Sequence, residues 1–290
     1  MPDTALIFGL GYTARRFARA LLTRGWRVVA TRRTVGQDDG VEVMTLDDPR
    51  LAGMIAGAGA ILSSVPPDTD AALPDPVLRA WHDALAASPA RWIGYLSSTG
   101  VYGDARGGWV DETSPIGGGR RSARVDADLA WQGLAASTRA PVHVFRLPGI
   151  YGPGRSALDR VREGRAHRID LPDHVFSRIH VDDIVATLLA SLDRPGAPGT
   201  AHLYNVADDE PASGNAVTEY ACDLLGLPWP PLQALDEAGL SPMARGFYAE
   251  CRRVANQRIK RDLGVRLLYP SYREGLDACL GAARDTGDAT

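Results

Sequence analysis

Short apolar runs alternate with amphipathic stretches through the first half of the chain, and this alternation limits the folds open to it. The runs occupy residues 4–8, 27–31, 41–46, 60–63, 92–97 and 142–147. Several are apolar on successive residues, as expected for strands that helices cover on both faces. Between the first two runs, Phe17, Ala20 and Leu21 recur at helical spacing and predict a helix over 13–23. Further helices are predicted over 121–137 and 181–193. This order of elements predicts an α/β fold with a Rossmann-like, doubly wound parallel sheet.

The amino-acid composition of the sequence changes near residue 150. Gly and Pro cluster in residues 148–154, 195–199 and 228–231, with short predicted elements between them. We interpret residues 1–150 as mainly one domain, built on the sheet, and residues 151–290 as mainly a smaller region. The two are interleaved rather than joined by a linker, because residues from about 175 to 206 are predicted to return to the sheet.

Composition and charge exclude several classes of protein. The 290 residues are 45% hydrophobic, enough for a large core, and 32 basic against 35 acidic residues give a net charge of −3. This balance argues against a general nucleic-acid or anionic-membrane binder. Three scattered cysteines are too few for a disulfide scaffold or a zinc cluster, so we expect no metal. The apolar stretch 184–192 is shorter than the about 20 residues that span a bilayer. No basic residue precedes the first apolar run, so we expect no signal peptide and a cytoplasmic location.

A glycine-rich turn directly follows the first predicted strand. Residues 7–14 read I-F-G-L-G-Y-T-A, which is G-x-G-x-x-A at the junction of a strand and a helix. Gly9 permits a tight turn, Gly11 lets the backbone approach a pyrophosphate, and Ala14 keeps the helix close to the sheet. Tyr12 and Thr13 begin the helix, whose N-terminus faces the anion. A turn that merely packs is the alternative, but the strand–turn–helix context favours a dinucleotide site.

The end of the second predicted strand bears on which dinucleotide binds. NAD-binding sheets place an acidic residue about 20 positions after the glycine turn, where it binds ribose hydroxyls. Here the strand is followed by Thr31-Arg32-Arg33-Thr34, without a carboxylate. Arg32 stands where a guanidinium can clamp a 2′-phosphate and stack on adenine. The alternative is a pair of solvated arginines on a loop; we favour NADP over NAD as the cofactor.

Five further segments occur in series along nearly the whole chain. They are Y-L-S-S-T-G-V-Y-G (95–103), F-R-L-P-G-I-Y-G-P-G-R (145–155), S-R-I-H-V-D-D-I (177–184), Y-N-V-A-D-D-E-P (204–211) and the tail 253–272. Together they resemble the short-chain dehydrogenase/reductase superfamily, in its extended epimerase/dehydratase branch. The glycine turn departs from the branch's usual G-x-x-G-x-x-G and is closer to atypical members. The resemblance implies an NAD(P)-dependent oxidoreductase, epimerase or dehydratase whose second region binds a sugar-like or nucleotide-linked substrate.

The resemblance also implies roles for particular residues. Cofactor contacts are implied for Asp47 near adenine, for Ser64, Val65 and Pro66 beside the nicotinamide-side ribose and phosphates, and for Ser97, Leu147, Pro148, Gly149 and Ile150. Ser98 matches the residue that hydrogen-bonds the reacting substrate oxygen, and Thr99 follows it. Arg155, Arg178 and His180 match positions near a diphosphate substrate. The alternative for Ser97 and Ser98 is that they satisfy backbone groups at a strand end.

One departure from the family pattern concerns the chemistry itself. The family normally carries a Tyr-x-x-x-Lys pair on the helix after the fifth strand, and the lysine lowers the pKa of the tyrosine so that it can move a proton. Here Arg124 takes the lysine's place, where it can still bind ribose hydroxyls, and Arg120 takes the tyrosine's. A guanidinium stays protonated, so Arg120 cannot act as an acid–base group. No tyrosine lies between Tyr102 and Tyr151.

Three explanations remain open. In the first, another residue takes the role of the tyrosine; Tyr102 is the leading candidate, and Ser98 and Thr99 are weaker ones. In the second, the protein binds a dinucleotide without the usual turnover. In the third, the alignment shifts within the glycine run 117–119. Tyr102 has the alternative of packing within its turn. The first explanation predicts an enzyme acting on a small molecule, and the second predicts a sensor of NADP or of its redox state. Relatives often pair through two helices, which implies a homodimer, but this chain offers no independent sign of one.

Overall fold

Strands and helices alternate along the residues that the computed structural model describes, which are 3–69, 71–119 and 122–287. The strands are β1 (Thr4–Phe8), β2 (Arg27–Thr31), β3 (Gly36–Asp38), β4 (Val41–Met44), β5 (Ala60–Ser63), β6 (Trp92–Ser98), β7 (Trp109–Val110), β8 (Val142–Leu147), β9 (Gly149–Tyr151), β10 (Arg168–Ile169), β11 (Arg178–His180), β12 (Ala201–Asn205), β13 (Leu232–Gln233) and β14 (Arg253–Val254). The helices are α1 (Tyr12–Thr23), α2 (Leu51–Gly57), α3 (Pro76–Ala86), α4 (Ser122–Leu134), α5 (Ala157–Arg162), α6 (Val181–Asp193), α7 (Gly214–Leu225), α8 (Pro242–Phe247), α9 (Gln257–Leu263) and α10 (Tyr272–Gly287).

Eight of the described strands form one sheet, in the order β12-β8-β6-β5-β1-β2-β4-β3. Neighbouring strands are parallel except β3 and β4, which form an antiparallel hairpin at one edge. From β1, the strands β2 and β4 extend to one side, whereas β5, β6, β8 and β12 extend to the other. This is a doubly wound order, and the predicted Rossmann-like α/β fold is confirmed.

Most strands agree with their predicted bounds, because each is a local run of apolar residues. β1, β2, β5 and β8 begin and end as predicted, β4 ends earlier at Met44, and β6 extends to Ser98. The sequence predicts neither β3 nor β12 as a separate strand. β3 has only three residues, and the first three residues of β12 are exposed or half-buried, so neither strand carries a continuous apolar run.

Two apolar layers cover the faces of the sheet. On one face, α1 and α6 bury side chains that include Phe17 and Ile184. On the other face, α2, α3 and α4 bury side chains that include Ile55, Leu78 and Trp131. Burial on both faces explains why the strands are apolar on successive residues.

The smaller region packs around α5, α7 and α10. Its core includes Tyr151, Leu158, Val217 and Leu276. The chain passes between this region and the sheet more than once, since β9 pairs with β11, β11 leads into α6, and β12 then joins the main sheet beside β8. Among the described helices, none has the length and apolar character needed to cross a membrane.

Candidate functional site

The predicted cofactor residues lie along one edge of the sheet, because they follow the carboxyl ends of neighbouring parallel strands. Gly9 and Gly11 follow β1, Thr31, Arg32 and Arg33 end or follow β2, Asp47 follows β4, Ser64, Val65 and Pro66 follow β5, Ser97 ends β6, and Leu147, Pro148, Gly149 and Ile150 end or follow β8. Ligands of open α/β sheets bind at this edge, beside the strand where the order of strands reverses. In this protein that strand is β1.

The turn after β1 is held by the ends of β2 and β5. The amide of Gly9 donates to the Thr31 hydroxyl at 3.0 Å, and the Ser64 hydroxyl donates to the Gly9 carbonyl oxygen. Gly9 has a φ of +84°, and a Cβ there would lie 3.0 Å from the Ser64 hydroxyl oxygen and 3.0 Å from a methyl carbon of Val65. Glycine accommodates both this conformation and this close approach. The fold therefore brings Thr31, Ser64 and Val65 to the turn.

Gly11 and the first turn of α1 form an open surface lined by donors. Gly11 is the N-cap of α1, and no side chain caps the helix. The first helical hydrogen bond runs from the Arg15 amide to the Gly11 carbonyl at 2.9 Å; within the described residues, the amides of Tyr12, Thr13 and Ala14 have no acceptor. A Cβ on Gly11 would meet no heavy atom within 4 Å. Unused amides at the positive end of a helix dipole, next to open space, fit a pyrophosphate.

The Tyr12 side chain contacts the loop after β9. Its hydroxyl donates to the Pro153 carbonyl at 3.1 Å, and the guanidinium carbons of Arg16 and Arg155 lie 4.0 and 5.6 Å from its ring centre. A tight turn, closed by backbone hydrogen bonds between Gly152 and Arg155, carries Arg155 to this place. The resemblance implies that Arg155 lies near a substrate diphosphate, whereas the structure places it beside the first turn of α1.

Arg32 pairs with a carboxylate that sequence reasoning missed. Nη1 of Arg32 lies 3.0 Å from Oδ2 of Asp38, and Nη2 of Arg15 lies 3.1 Å from the same oxygen. Asp38 belongs to the hairpin of β3 and β4, whose two-residue turn, Asp39-Gly40, has positive φ angles at both positions. An Asp-Gly pair of this kind is a hairpin signal in sequence, and it would have placed Asp38 beside β4.

Three polar residues at the end of β6 have different surroundings. The Ser97 hydroxyl donates to Asp128 Oδ2 at 2.5 Å and is buried, and Thr99 is buried as well. The half-buried Ser98 accepts a hydrogen bond from the Gly100 amide at 3.1 Å and caps the 3₁₀ turn Thr99–Tyr102. In the part of the chain that the structure describes, the Ser98 hydroxyl proton has no acceptor. Ser98 is the most exposed of the three, and its proton is available to a substrate.

The Tyr102 hydroxyl forms its hydrogen bonds within a buried polar network. It accepts from Nη1 of Arg146 at 2.9 Å and donates to Oδ1 of Asn205 at 2.7 Å. Arg146 in turn donates to both carboxylate oxygens of Asp128, at 3.1 and 2.8 Å. Burial raises the pKa of Tyr102, although Arg146 opposes the rise. These contacts favour the interpretation that Tyr102 packs within its turn over the one in which it replaces the absent tyrosine. Sequence reasoning missed this pair, because Arg146 is one charge within the apolar strand β8 and Asp128 is one of several charged residues on α4.

The remaining predicted residues of the reaction centre lie on α4 and in the loop before it. Arg124 is half-buried in the first turn of α4. Its charge opposes the rise that burial causes in the pKa of the Tyr95 hydroxyl, on the neighbouring strand β6. Arg120, at the position of the family's tyrosine, lies outside the described residues.

Arg178 and His180, at the two ends of β11, are engaged within the protein. Nη1 of Arg178 donates to the carbonyl oxygens of Phe176 and Ala212, both at 2.9 Å. His180 is 1% exposed and caps α6, because its Nδ1 accepts from the Asp182 amide at 3.2 Å. Burial lowers the pKa of His180 to about 4, so the ring is neutral at physiological pH. Arg178 is thus bonded to backbone carbonyl groups of the loops around β11, and His180 is bonded to the start of α6.

No family model matches the chain. A solved protein of Silicibacter pomeroyi, described as functionally unknown and conserved, is 46% identical. The match covers 97% of this chain and 99% of that one, with a TM-score of 0.85. The chain belongs to the family of this protein.

More distant solved structures share the fold of this chain. MoeE5, solved with UDP-glucuronic acid and NAD, is 19% identical over 98% of this chain and 100% of its own, with a TM-score of 0.78. The dTDP-glucose 4,6-dehydratase of Bacillus anthracis, solved with NAD, is 15% identical over 99% of this chain and 98% of its own, with a TM-score of 0.75. This chain therefore has the same fold as these two proteins, and the predicted resemblance to the epimerase/dehydratase branch is confirmed at the level of the fold.

Two further protein sequences are also similar. Protein YeeZ of Escherichia coli K12 is 27% identical over 285 residues, which cover 91% of this chain and 95% of YeeZ. A 3-diazoavenalumate denitrifying reductase of a Streptomyces species is 33% identical over 179 residues, which cover 58% of this chain and 55% of the reductase.

Proposed function

We propose that this protein is an NADP(H)-dependent oxidoreductase of the epimerase/dehydratase type, acting on a small molecule that is sugar-like or nucleotide-linked. The observation that carries the proposal is the open, donor-lined surface at Gly11 and the first turn of α1. Two further findings support it: proteins of the same fold have been solved with NAD, and one relative is a reductase.

The described residues divide the proposed cofactor site into three parts. The amides of Tyr12, Thr13 and Ala14 bind the pyrophosphate, and Arg32 with Arg33 binds the adenosine end. Ser64 to Pro66 and Leu147 to Ile150 border the nicotinamide end, which supplies or accepts a hydride when the cofactor is bound. Asp47 completes the adenine side.

Ser98 is the proposed contact to the reacting substrate oxygen. Its hydroxyl oxygen accepts from the Gly100 amide, which leaves the proton available as a donor. A fixed donor stabilises negative charge that develops on an oxygen atom during hydride transfer. Arg124 contributes positive charge from α4, in place of the family's lysine.

Gly11→Ala tests the proposal, because it separates the cofactor site from the fold. An alanine Cβ has room at this position and the backbone φ of −87° suits alanine, so we expect an unchanged melting temperature. The added methyl group enters the space proposed for the pyrophosphate, so we expect NADPH affinity to fall by about tenfold or more. Isothermal titration calorimetry with NADPH measures the change.

Gly53→Ala is the matched control, since Gly53 also has open space around its Cβ but lies on α2, which carries none of the predicted cofactor contacts. Equal NADPH affinity in wild type and Gly11→Ala would contradict the proposed site. Tight NADPH binding without turnover across a panel of sugar nucleotides and small carbonyl compounds would instead favour the sensor.

A further inference from the structure

Three charged side chains meet where β2 ends. Arg15 comes from α1, Arg32 from the segment after β2, and Asp38 from β3. One carboxylate oxygen, Oδ2 of Asp38, lies 3.1 Å from Arg15 and 3.0 Å from Arg32. The Asp38 side chain is 13% exposed, whereas those of Arg15 and Arg32 are 38% and 37% exposed. A single carboxylate therefore holds two guanidinium groups side by side, with their outer faces open to solvent.

The two arginines have positive charge and N–H donors that Asp38 does not use. Two guanidinium groups against one carboxylate leave a net positive charge, and the exposed Arg33 adds to it. Within the described part of the chain, Asp38 is the one acidic group within 4 Å of either guanidinium, and the buried Nε of Arg15 has no acceptor. A phosphate group, with three oxygen atoms, can accept from both guanidinium groups at once.

Asp38 reaches the arginines from a small element at the edge of the sheet. β3 pairs with β4 alone, over three residue pairs, and Asp38 stands opposite Val41, next to the turn. The neighbouring Asp39 pairs with Arg19, farther along α1. A short edge hairpin belongs to the least stable part of a fold, so its side chains can move at low cost when another anion competes for their partners.

We propose that Arg15 and Arg32 together bind the 2′-phosphate of NADP(H), and that Asp38 competes with this phosphate for both guanidinium groups. The proposal rests on the proposed dinucleotide site and adds the residue that sets its selectivity. Asp38 keeps the arginines together, but its negative charge opposes a phosphate at the same place. It therefore limits how strongly the protein prefers the phosphorylated cofactor over NAD(H).

Two small probes separate the phosphate from the rest of the cofactor: 2′,5′-ADP carries the 2′-phosphate and 5′-AMP lacks it. We expect Arg15→Ala and Arg32→Ala each to weaken 2′,5′-ADP binding by roughly tenfold to a hundredfold, as the loss of a charge-assisted contact predicts, and to change 5′-AMP binding by less than about twofold. We expect Asp38→Asn, which keeps the shape and removes the charge, to strengthen 2′,5′-ADP binding by about three- to tenfold. Calorimetry at one fixed salt concentration measures the affinity of the wild type and of these three variants for both probes.

Asp39→Asn is the matched control, because it removes the same charge from the same hairpin but from a partner of Arg19. It should leave both probes unchanged, and equal melting temperatures establish that the variants fold. If Arg15→Ala weakened the binding of both probes equally, the proposal that Arg15 and Arg32 share a phosphate site would be wrong. No gain for 2′,5′-ADP in Asp38→Asn would overturn the competition, and weaker 5′-AMP binding would make Asp38 an acceptor for ribose hydroxyls instead. If the wild type binds both probes equally well, the inference is wrong but the proposed dinucleotide site is unaffected. If 2′,5′-ADP, 5′-AMP, NADPH and NADH all fail to bind, the proposed function is wrong as well.

Discussion

Single side chains decide which chemistry this edge of the sheet supports. The three residues considered as substitutes for the absent tyrosine have different surroundings: Thr99 is buried, the Tyr102 hydroxyl is bound by Arg146 and Asn205, and Ser98 is half-buried with its proton free among the described residues. A serine hydroxyl is too weak an acid to replace the tyrosine as the acid–base group near neutral pH, but it can stabilise a developing oxyanion by donating to it. We therefore propose a reaction in which Ser98 polarises the substrate.

Ser98→Ala tests this role. We expect kcat for NADPH oxidation to fall by about a hundredfold to a thousandfold, as for the loss of an oxyanion donor, with NADPH affinity unchanged. The assay uses the carbonyl compound that first supports turnover in a substrate panel. Ser137→Ala, at an exposed serine after α4, is the control. If Ser98→Ala kept full kcat, the substrate oxygen would have to be bound elsewhere.

Pairs of secondary-structure elements are joined by buried polar contacts, and Asp75 joins α3 to α4. One of its carboxylate oxygens caps α3 by accepting from the amides of Val77 and Leu78, both at 2.9 Å. The other accepts from Nε1 of Trp131 on α4, at 2.8 Å. Asp75 and Trp131 are both fully buried, so the contact cannot be replaced by bulk water.

Asp75→Ala should destabilise the protein by about 2–4 kcal/mol, because it removes a helix cap and leaves the buried indole N–H without an acceptor. Urea denaturation followed by circular dichroism measures the free energy of unfolding. Asp83→Ala, at an exposed residue on the same helix, should change it by less than about 0.5 kcal/mol. A similar small change for Asp75→Ala would mean that the cap contributes nothing to the packing of α3 on α4.

The stability of the protein as a whole should depend on pH through Asp208, which lies after β12 and is 1% exposed. Burial raises the pKa of Asp208 from 3.8 to about 8, although the nearby charge of Arg178 opposes the rise. Between these two values the folded protein holds a proton that the unfolded chain releases. The free energy of unfolding therefore falls as the pH rises through this window, and the contribution is fully present only below it.

Asp208→Asn removes this titration and keeps the shape of the side chain. We expect the variant to match the wild type near pH 4 and to be more stable near pH 8, by an amount on the order of a few kcal/mol. Urea denaturation of both proteins across this range measures the difference, and other titrating groups cancel in the comparison. Parallel stability curves would show that Asp208 ionises in the folded protein as it does in water.

Local patterns in the sequence were enough for the parts of the fold that depend on neighbours along the chain. β1, β2, β5, β8 and α6 have the predicted bounds, and the glycine turn lies between β1 and α1 as its motif requires. The periods of strands and helices and the conformational freedom of glycine act over a few residues, so a single sequence reveals them.

The tertiary structure determines which charged side chains come into contact with their partners. Asp38 reaches Arg15 and Arg32, Asp128 reaches Arg146, and Arg155 reaches Tyr12 across separations of up to 143 positions, and no spacing rule links such pairs. Strand order and loop paths set these contacts, because burial in a shared sheet brings distant segments together irrespective of their order along the chain. For that reason the glycine turn was predictable from residues 7–14, and the Asp-Gly pair could have revealed the hairpin that carries Asp38, whereas the partners of Tyr102 and of Tyr12 were not predictable.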